Sequence, residues 1–386
     1  MIYKFLAISD IHWGAMDTNI LYEDLNLFLE YIKSNKDNID FIVICGDYFD
    51  TRLQLNSKTA LTAIKWFDEF MKTCKDNNVK KVRMIKGTRE HDNDQLEVFR
   101  PNYELNDNYF KLYNTTESEL LFPDLRCIFC PDESMNLEEY HQIYSNKFEP
   151  SPDIGFFHGN FDVILPSIEY DRIQNNHLPT MIYEYEKFSK IVKGPLIAGH
   201  WHDHDKHGSL YYIGSYDRWK FGEDKDKGFI YGEYDTENNN YTIDRIKNTL
   251  AREYKTIIAT SDEVYSASDF SHIMGNIENL LAENVDMRIK FTYIITKEDT
   301  EGLINVDTLQ KRFATSNRVK IVIKNLVQKE IKKKKKKNTT LESSKYNYIF
   351  DSDSKHIPKI IQKFIKDTKD EDISIDEVNK YILKYL

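Results

Sequence analysis

The sequence predicts an α/β fold, of the α+β kind, in which two sheets pack between helices. Up to about residue 90, strand-like runs alternate with amphipathic stretches, which is typical of βαβ units with buried parallel strands. From there to about residue 250, strand-like runs follow one another with less helix between them. A sheet-rich half after a βαβ half predicts two packed sheets covered by helices.

The individual elements are predicted from apolar runs and from helical periodicity. The first half has the strands Tyr3–Ser9, Phe41–Cys45 and Lys81–Ile85, separated by the helices Tyr22–Lys33 and Thr59–Lys72. The strands predicted for the second half are Leu125–Cys130, Asp153–His158, Pro195–Ala198, Leu210–Ile213 and Phe229–Tyr234.

Composition places the chain among intracellular globular proteins. It has 386 residues, 40% of them apolar, which is enough for a packed core. No apolar run reaches the roughly 18 residues of a membrane span, and the amino terminus lacks the layout of a signal peptide. Four scattered cysteines suit a reducing compartment. We expect a cytoplasmic protein with no membrane contact, encoded by a phage or a bacterium.

The pattern resets after about residue 254, which divides the chain into four parts. A small α/β unit is predicted from the strands Lys255–Ala259, Arg288–Ile295 and Arg318–Ile323 with a helix at Ala267–Leu281 and another at Asp307–Phe313. The predicted parts are residues 1–254, the main domain; 255–328, the small α/β domain; 329–354, a lysine-rich linker; and 355–386, a helical tail.

The linker contains six consecutive lysines, Lys332–Lys337. They are either a solvated hinge or a basic contact for nucleic acid phosphates or a partner protein. The amphipathic helices predicted at Ile357–Lys366 and Ile375–Leu386 either dock on their own domain or bind another protein.

Acidic and histidine side chains follow the predicted strands of the main domain at the points where they end. The carboxyl ends of strands in α/β sheets are where ligands and catalytic groups gather. Mixed carboxylate and imidazole ligands suit manganese, iron or zinc, and a shared carboxylate can bridge two ions about 3.5–4 Å apart. A single motif of this kind at a strand end is usually structural, but four of them, each following a predicted strand, indicate a metal site. The candidates are Asp10, His12, Asp47, His158, His200 and His202.

The order of these pieces resembles the calcineurin-like metallophosphoesterase family over roughly residues 1–250. The resemblance implies a four-layer α/β/β/α sandwich with two divalent metal ions, Mn²⁺ or alternatively Mg²⁺. One ion would take Asp10, His12, Asp47 and His202, and the other would take Asp47, the Glu90 position, His158 and His200. His91 matches the family's non-ligand histidine, which contacts the scissile phosphate and helps the leaving oxygen.

One motif departs from the family pattern. Where the family has Gly-Asn-His-Asp, this chain reads Gly87-Thr88-Arg89-Glu90-His91-Asp92, with two extra residues and no asparagine. With His91 in register, Glu90 is the preferred ligand. Thr88 or a water remain the alternatives.

The stretch Tyr211–Glu223 resembles the element that follows the last histidines in SbcD-type nucleases, the nuclease subunits of double-strand-break repair complexes. Asp50 also fits that branch. The resemblance implies a capping domain that guides DNA and terminal helices that bind an SbcC-like ATPase of the SMC family. It also implies a homodimer, for which the helices Tyr22–Lys33 and Thr59–Lys72 are candidates.

Several side chains near the motifs have two interpretations. Arg218, Lys220 and Arg89 are candidates for contacts with DNA phosphates, although Arg218 could instead pair with Glu223 to hold its loop. Trp201 and Trp219 either stack a frayed base or, more simply, are buried. Cys127 and Cys130 are expected to be buried, rather than a redox or metal pair, and His204 and His207 to face solvent.

Three functions are compatible with these observations. The favoured one is a metal-dependent exonuclease on double-stranded DNA, with endonuclease activity on single strands, in DNA repair, recombination and replication. The net charge of −10 counts against a polyanionic substrate. The alternatives are a nucleotide or phosphoprotein phosphatase, and a non-catalytic scaffold for the ATPase.

Overall fold

A computed structural model describes residues 1–104, 108–164, 181–223, 225–260, 267–283, 287–295 and 318–325. The chain divides into two compact units, Met1–Lys255 with Asn284–Arg288, and Thr256–Glu283 with Ile289–Leu386. The predicted linker, the terminal helices and the helix predicted at Asp307–Phe313 lie outside the described residues. The four-part division of the chain therefore stays a prediction.

The first unit contains two mixed sheets and the helices that cover them. In chain order its elements are β1 (Ile2–Ile8), α1 (Thr18–Ser34), β2 (Phe41–Cys45), α2 (Lys58–Asp76), β3 (Lys81–Ile85), α3 (Arg100–Tyr103), β4 (Phe110–Tyr113), β5 (Glu117–Phe122), β6 (Leu125–Cys130), α4 (Leu137–Tyr144), β7 (Ile154–His158), β8 (Asn160–Phe161), β9 (Ile182–Tyr183), α5 (Tyr185–Ile191), β10 (Leu196–Gly199), β11 (Asp205–His207), β12 (Leu210–Tyr212), β13 (Gly228–Asp235) and β14 (Asn240–Lys247). Short 3₁₀ helices lie at Gln95–Phe99 and Ser145–Phe148.

The first sheet has the order β14-β13-β1-β2-β3-β4, and the second has the order β11-β12-β10-β7-β6-β5. Strands β1 to β4 are parallel to one another, and so are β6, β7, β10 and β12. The antiparallel strands lie at the edges: β13 and β14 in the first sheet, β5 and β11 in the second. The central strands are thus the parallel ones, as the continuous apolar runs predict.

Alternation along β1 shows how the layers pack. Leu6 and Ile8 belong to the core cluster that contains the apolar faces of α1 and α2. Phe5 and Ala7 point to the opposite face and join the cluster that includes the inner face of the second sheet. A third cluster packs the outer face of that sheet against α4 and α5. This helix–sheet–sheet–helix layering confirms the predicted α/β fold.

The helices begin where the sequence supplies a capping side chain. The Asp17 carboxylate accepts hydrogen bonds from the amides of Asn19 and Ile20 at the start of α1. The Ser57 hydroxyl does the same for Ala60 in α2. Each cap satisfies amides that have no partner inside the helix, which typically contributes about 1 kcal/mol.

Beyond the two sheets lie β15 (Tyr254–Thr260), α6 (Ala267–Glu283), β16 (Arg288–Ile295) and β17 (Val319–Asn325), mainly in the second unit. The three strands form one sheet in numerical order, and β16 and β17 are parallel. Ile277, Leu281 and Ile289 are among the buried residues there. Within the described ranges, no helix is long and apolar enough to cross a membrane.

Candidate metal centre

Four strands end at one group of side chains. Asp10 and Asp47 follow β1 and β2, His158 ends β7, and His200 follows β10. Asp10, His12, Asp47 and His200 have positive φ angles of 52°, 53°, 50° and 85°. Left-handed backbone at a residue other than glycine costs roughly 1–3 kcal/mol and concentrates at functional sites. Four such residues in one cluster indicate that the fold holds these side chains in place for chemistry.

Backbone hydrogen bonds hold these turns together. The amides of Asp10, His12 and Trp13 donate to the carbonyls of Gly46, Asp47 and Tyr48 at 3.1, 3.0 and 2.9 Å. The two loops after β1 and β2 therefore run side by side. The amide of His200 donates to the carboxylate of Asp10 at 3.0 and 3.2 Å, which ties the second sheet to the same point.

The first ligand group consists of Asp10, His12 and His202, whose ligand atoms lie within 4.8 Å of one another. Nε2 of His12 lies 3.1 Å from Nε2 of His202, 3.8 Å from an oxygen of Asp10 and 3.9 Å from Oδ2 of Asp47. Nε2 of His202 lies 3.9 Å from Asp10. An ion with bonds of about 2.1 Å separates tetrahedral ligands by about 3.4 Å. The three ligand atoms of Asp10, His12 and His202 are therefore spaced to fit around one divalent ion, and Oδ2 of Asp47 lies beside them at His12.

The second ligand group consists of Asp47, His158 and His200. Oδ1 of Asp47 lies 3.2 Å from Nε2 of His158, whereas Oδ2 faces His12 of the first group. The two oxygens of one carboxylate thus address two neighbouring groups, as a bridging ligand requires. Nδ1 of His200 is buried without a hydrogen-bond partner within the described structure, as a ring nitrogen reserved for an ion would be.

The ring nitrogens that face away from the ligand groups have partners of their own. An anchored second nitrogen fixes the tautomer and orientation of a metal-binding histidine. The contacts are His202 Nδ1 to Glu223 at 2.9 Å, His158 Nδ1 to the Cys45 carbonyl at 2.7 Å, His200 Nε2 to Asn160 at 3.1 Å and His12 Nδ1 to Asp50 at 3.5 Å. This arrangement fits ions at both groups.

Electrostatics of the ion-free protein show how closely these groups are coupled. Burial alone would raise the pKa of Asp47, but His158, His12 and His91 outweigh it and hold the pKa well below its usual range. Burial alone would lower the pKa of His158, but Asp47 beside it raises that pKa to about 10. Burial, reinforced by His158, lowers the pKa of His200 to about 4. Asp47 and His158 are therefore a closely coupled buried pair, in which each group favours the charged form of the other.

His91 lies at the exposed edge of the centre. Its Nε2 is 3.9 Å from Oδ2 of Asp47, and its side chain is 31% exposed. Its Nδ1 contacts the carbonyl of Asp50, so that Nε2 faces the ligand groups. It forms a third close group with His12 and Asp47. A histidine that combines solvent access with this orientation can reach a phosphate bound at the ions.

The family profile for calcineurin-like phosphoesterases matches residues 3–246. The chain belongs to this family. A search of curated proteins finds no match. Together with the ligand groups, membership makes the chain a metal-dependent hydrolase of phosphoesters.

Glu90 is the predicted ligand that the structure does not bring to the phosphoesterase centre. Its side chain is exposed, and none of the ligand groups among the described residues contains it. Arg89 is exposed as well. The insertion closes a turn in which the amides of His91 and Asp92 donate to the carbonyl of Thr88. Glu90 therefore points outward while His91 stays at the centre.

Thr88 lies beside Asp47, in the place predicted for Glu90. Its amide and hydroxyl donate to Oδ1 of Asp47 at 2.7 and 3.0 Å, the oxygen that faces His158. The backbone can approach this closely because residue 87 is glycine: a Cβ there would lie 2.1 Å from the amide nitrogen and Oδ1 of Asp47. Asp92 completes the turn by accepting from the amides of Gly87 and Phe49. Thr88, rather than Glu90, is thus the residue of this turn that lies beside the second ligand group.

Arg218, expected among the substrate contacts, is buried in the structure. The residue is 9% exposed, and its guanidinium donates hydrogen bonds to four backbone carbonyls, those of Glu223, Lys225, Ala251 and Arg252. The contact that the structure describes between Arg218 and Glu223 is a hydrogen bond from Nε of Arg218 to the backbone carbonyl of Glu223. Arg218 therefore ties the loop after the last histidines to residues 251–252. Lys220, in contrast, is exposed.

The two cations should accordingly behave differently when they are replaced. Arg218→Gln should lower the free energy of unfolding by roughly 1–3 kcal/mol, because buried carbonyls lose their donors. Lys220→Gln should leave stability unchanged but reduce the slope of log Kd against log salt for DNA by about one. Urea unfolding and salt-dependent binding measure the two effects. A reduced salt slope in a stable Arg218→Gln variant would contradict the assignment.

Three residues of the centre were not recognised from the sequence. Glu223, Asn160 and Asp50 hold histidine nitrogens from the side opposite the ligand groups. Glu223 and Asp50 had been noted only as parts of motifs, and Asn160 carries no motif signal beyond its position two residues after His158. Such partners become visible only when the chain is folded.

The remaining alternatives are decided by burial. Cys127 and Cys130 are buried free cysteines, as expected. Trp201 packs against the core cluster under α4 and α5, Trp219 packs against the cluster under α1 and α2, and both are partly buried. The Trp219 ring also lies 5.7 Å from that of His12, so it forms part of the wall of the centre. His207 is exposed, whereas His204 is partly buried and does not face solvent fully.

Proposed function

We propose that this phosphoesterase is the nuclease subunit of an SbcCD-like complex, cleaving double-stranded DNA from its ends and single strands internally. One observation carries the proposal. The segment Tyr211–Glu223, which resembles SbcD-type nucleases, contributes directly to the centre: the Glu223 carboxylate contacts His202, and the Trp219 ring contacts that of His12. The segment whose sequence suggests a DNA substrate therefore contacts two of the proposed metal ligands.

The residues of the two ligand groups would hold two divalent ions, for which Mn²⁺ suits the mixture of imidazole and carboxylate. Such ions supply an activated water and neutralise charge at phosphorus when they are bound. Nδ1–H of His91 donates to the Asp50 carbonyl, so His91 would give a proton from Nε2 to the departing sugar oxygen only as an imidazolium, with hydrogen on both ring nitrogens. Thr88 and Asp92 keep Asp47 and this turn in position.

Substrate contacts would come from exposed cations beside the centre. Arg89 precedes His91 by two residues, and Lys220 follows Trp219 directly; both are exposed. They can approach phosphates that flank the scissile bond, and backbone contacts of this kind position DNA without reading its sequence. The net charge of −10 opposes a polyanion, so local cations and bound metal ions would have to reverse the field at the centre.

The rest of the assembly follows from the same resemblance. The small α/β domain would guide DNA toward the centre, and residues 355–386 would bind an SbcC-like ATPase. A homodimer through α1 and α2 would place two centres on one substrate. These assignments are testable by co-purification and by light scattering of the full-length chain.

A phosphatase acting on small phosphomonoesters is the second candidate, and the acidic net charge favours it. The two are separated by assaying end-labelled duplex DNA, labelled single strands and p-nitrophenyl phosphate in parallel, with Mn²⁺ and with Mg²⁺. Each assay is run with and without a co-encoded ATPase.

We expect Mn²⁺-dependent release of nucleotides from duplex ends that exceeds turnover of the monoester. An Asp47→Ala preparation purified identically controls for contaminating nucleases. Turnover of the monoester without cleavage of either DNA would favour the phosphatase. No turnover of any substrate, with fewer than two ions bound at saturating Mn²⁺, would favour a scaffold.

A further inference from the structure

The carboxylate of Glu223 lies directly behind His202, on the side away from the ligand groups. Its Oε1 is 2.9 Å from Nδ1 of His202, and its Oε2 accepts from the amide of Trp219 at 2.9 Å. Glu223 is 4% exposed, whereas the His202 side chain is 24% exposed. His202, which is partly exposed, therefore has a buried charged partner.

The main chain of His202 is held by a second charged residue. Lys227 is fully buried, and its Nζ donates to the carbonyl of His202 at 2.8 Å while lying 3.5 Å from Oε2 of Glu223. The amide of Ser215 donates to the same carbonyl at 2.9 Å. The buried ion pair of Glu223 and Lys227 thus contacts His202 at both its ring and its backbone.

We infer that Glu223 is a positioning residue that orients His202 and strengthens its bond to the ion of the first ligand group. The inference rests on the metal binding assumed in the proposed function. A carboxylate that accepts a hydrogen bond from the far nitrogen of a ligand histidine fixes the tautomer with Nε2 free and makes that nitrogen a better donor to a metal. Lys227 neutralises the buried carboxylate, so that its charge can remain in the interior.

The geometry points to an effect on one ion and not on both. His202 belongs to the first ligand group, whereas the second consists of Asp47, His158 and His200. His158 and His200 have separate anchors, the Cys45 carbonyl and Asn160. A Glu223 variant should therefore weaken one Mn²⁺ site selectively. A purely structural role in the loop would leave both sites unchanged or weaken them together.

The test is titration of the metal-free full-length chain with Mn²⁺, followed by calorimetry and by electron paramagnetic resonance. Glu223→Gln keeps the shape and a hydrogen-bond acceptor but removes the charge, whereas Glu223→Ala removes both. We expect one of two binding events to weaken by about 10- to 100-fold in Glu223→Ala, and by less in Glu223→Gln. The spin-coupled signal of a manganese pair should give way to that of a single ion at limiting Mn²⁺.

Two controls separate a loss of His202 orientation from a loss of the folded state. Glu237, a carboxylate with 79% exposure, provides the matched variant Glu237→Gln, which should bind as the wild type does. Glu223→Ala leaves the buried Lys227 with Asp203, 3.7 Å away, as its remaining acidic neighbour. Glu223→Gln combined with Lys227→Met supplies a neutral pair if the alanine variant does not fold. Circular dichroism and metal-free thermal melting identify variants that are folded.

The outcomes distinguish this inference from the proposed function. Equal Mn²⁺ affinities in the wild type and in a folded Glu223 variant, or equal weakening of both sites, would overturn the inference alone. Selective weakening without any DNA cleavage by the wild type would support the inference and overturn the nuclease. A wild type that binds no Mn²⁺ would overturn both.

Discussion

Asp47→Ala is expected to reduce phosphodiester hydrolysis to the background without protein and to remove tight binding of both Mn²⁺ ions. Asp47 belongs to the second ligand group and lies beside the first: its Oδ2 faces His12 and its Oδ1 faces His158. Without it, two clusters of histidines face each other with no shared negative charge. One substitution should therefore disable the whole centre.

Metal-linked stability measures this effect independently of activity. An ion that binds only the folded chain stabilises it by about 2.7 kcal/mol at a concentration of 100 Kd. The Tm of the wild type should rise with added Mn²⁺ and fall with a chelator, and the Tm of Asp47→Ala should do neither. Asp94→Asn, at a side chain that is 85% exposed, is the matched control. Full hydrolysis by Asp47→Ala would overturn the mechanism.

His91→Ala should give the second-largest loss, and a different one. Because His91 is oriented by the Asp50 carbonyl and lies at the exposed edge, it is expected to act on the leaving oxygen rather than on ion binding. General acid catalysis contributes roughly 10²- to 10⁴-fold, so kcat on DNA should fall by that factor. Mn²⁺ affinity and DNA affinity should remain those of the wild type.

The leaving group supplies the sharper readout for His91. A p-nitrophenolate departs without help from an acid, whereas a sugar alkoxide needs a proton. His91→Ala should therefore retain far more activity on bis-p-nitrophenyl phosphate than on DNA, while Asp47→Ala should lose both. His91 forms a close group with His12 and Asp47, so loss of an ion in His91→Ala would make it a ligand and contradict the proposed role.

Removal of Glu90 should have little effect, in contrast to these two changes. An exposed carboxylate outside the ligand groups contributes little to ion binding, so Glu90→Gln should keep the Mn²⁺ affinities of the wild type. Thr88→Val, which removes the hydroxyl that contacts Asp47, should weaken the binding of one ion. Calorimetric titration of the two variants side by side measures the difference. Weaker binding of one ion by Glu90→Gln, but not by Thr88→Val, would identify Glu90 as the ligand.

The sequence by itself determined the fold class and six of the side chains that meet at the centre: Asp10, His12, Asp47, His158, His200 and His202. This was possible because both depend on local patterns. Continuous apolar runs identify buried parallel strands, and residues directly after them must lie at the carboxyl edge of the sheet. Placing ligands at strand ends needs no knowledge of which distant residues touch.

Contacts between distant residues were decided by the tertiary structure alone. The turn that directs Glu90 outward and Thr88 toward Asp47 depends on the length of an insertion between two anchored ends. Arg218 was predicted to contact substrate, but it is buried because the carbonyls of residues 251–252 fold against it and accept its hydrogen bonds. Glu223 and His202 are 21 residues apart, and their contact exists only because the loop between them returns to the centre. A side chain's type limits what it can bind, but its neighbours in the folded chain decide which of those options is realised.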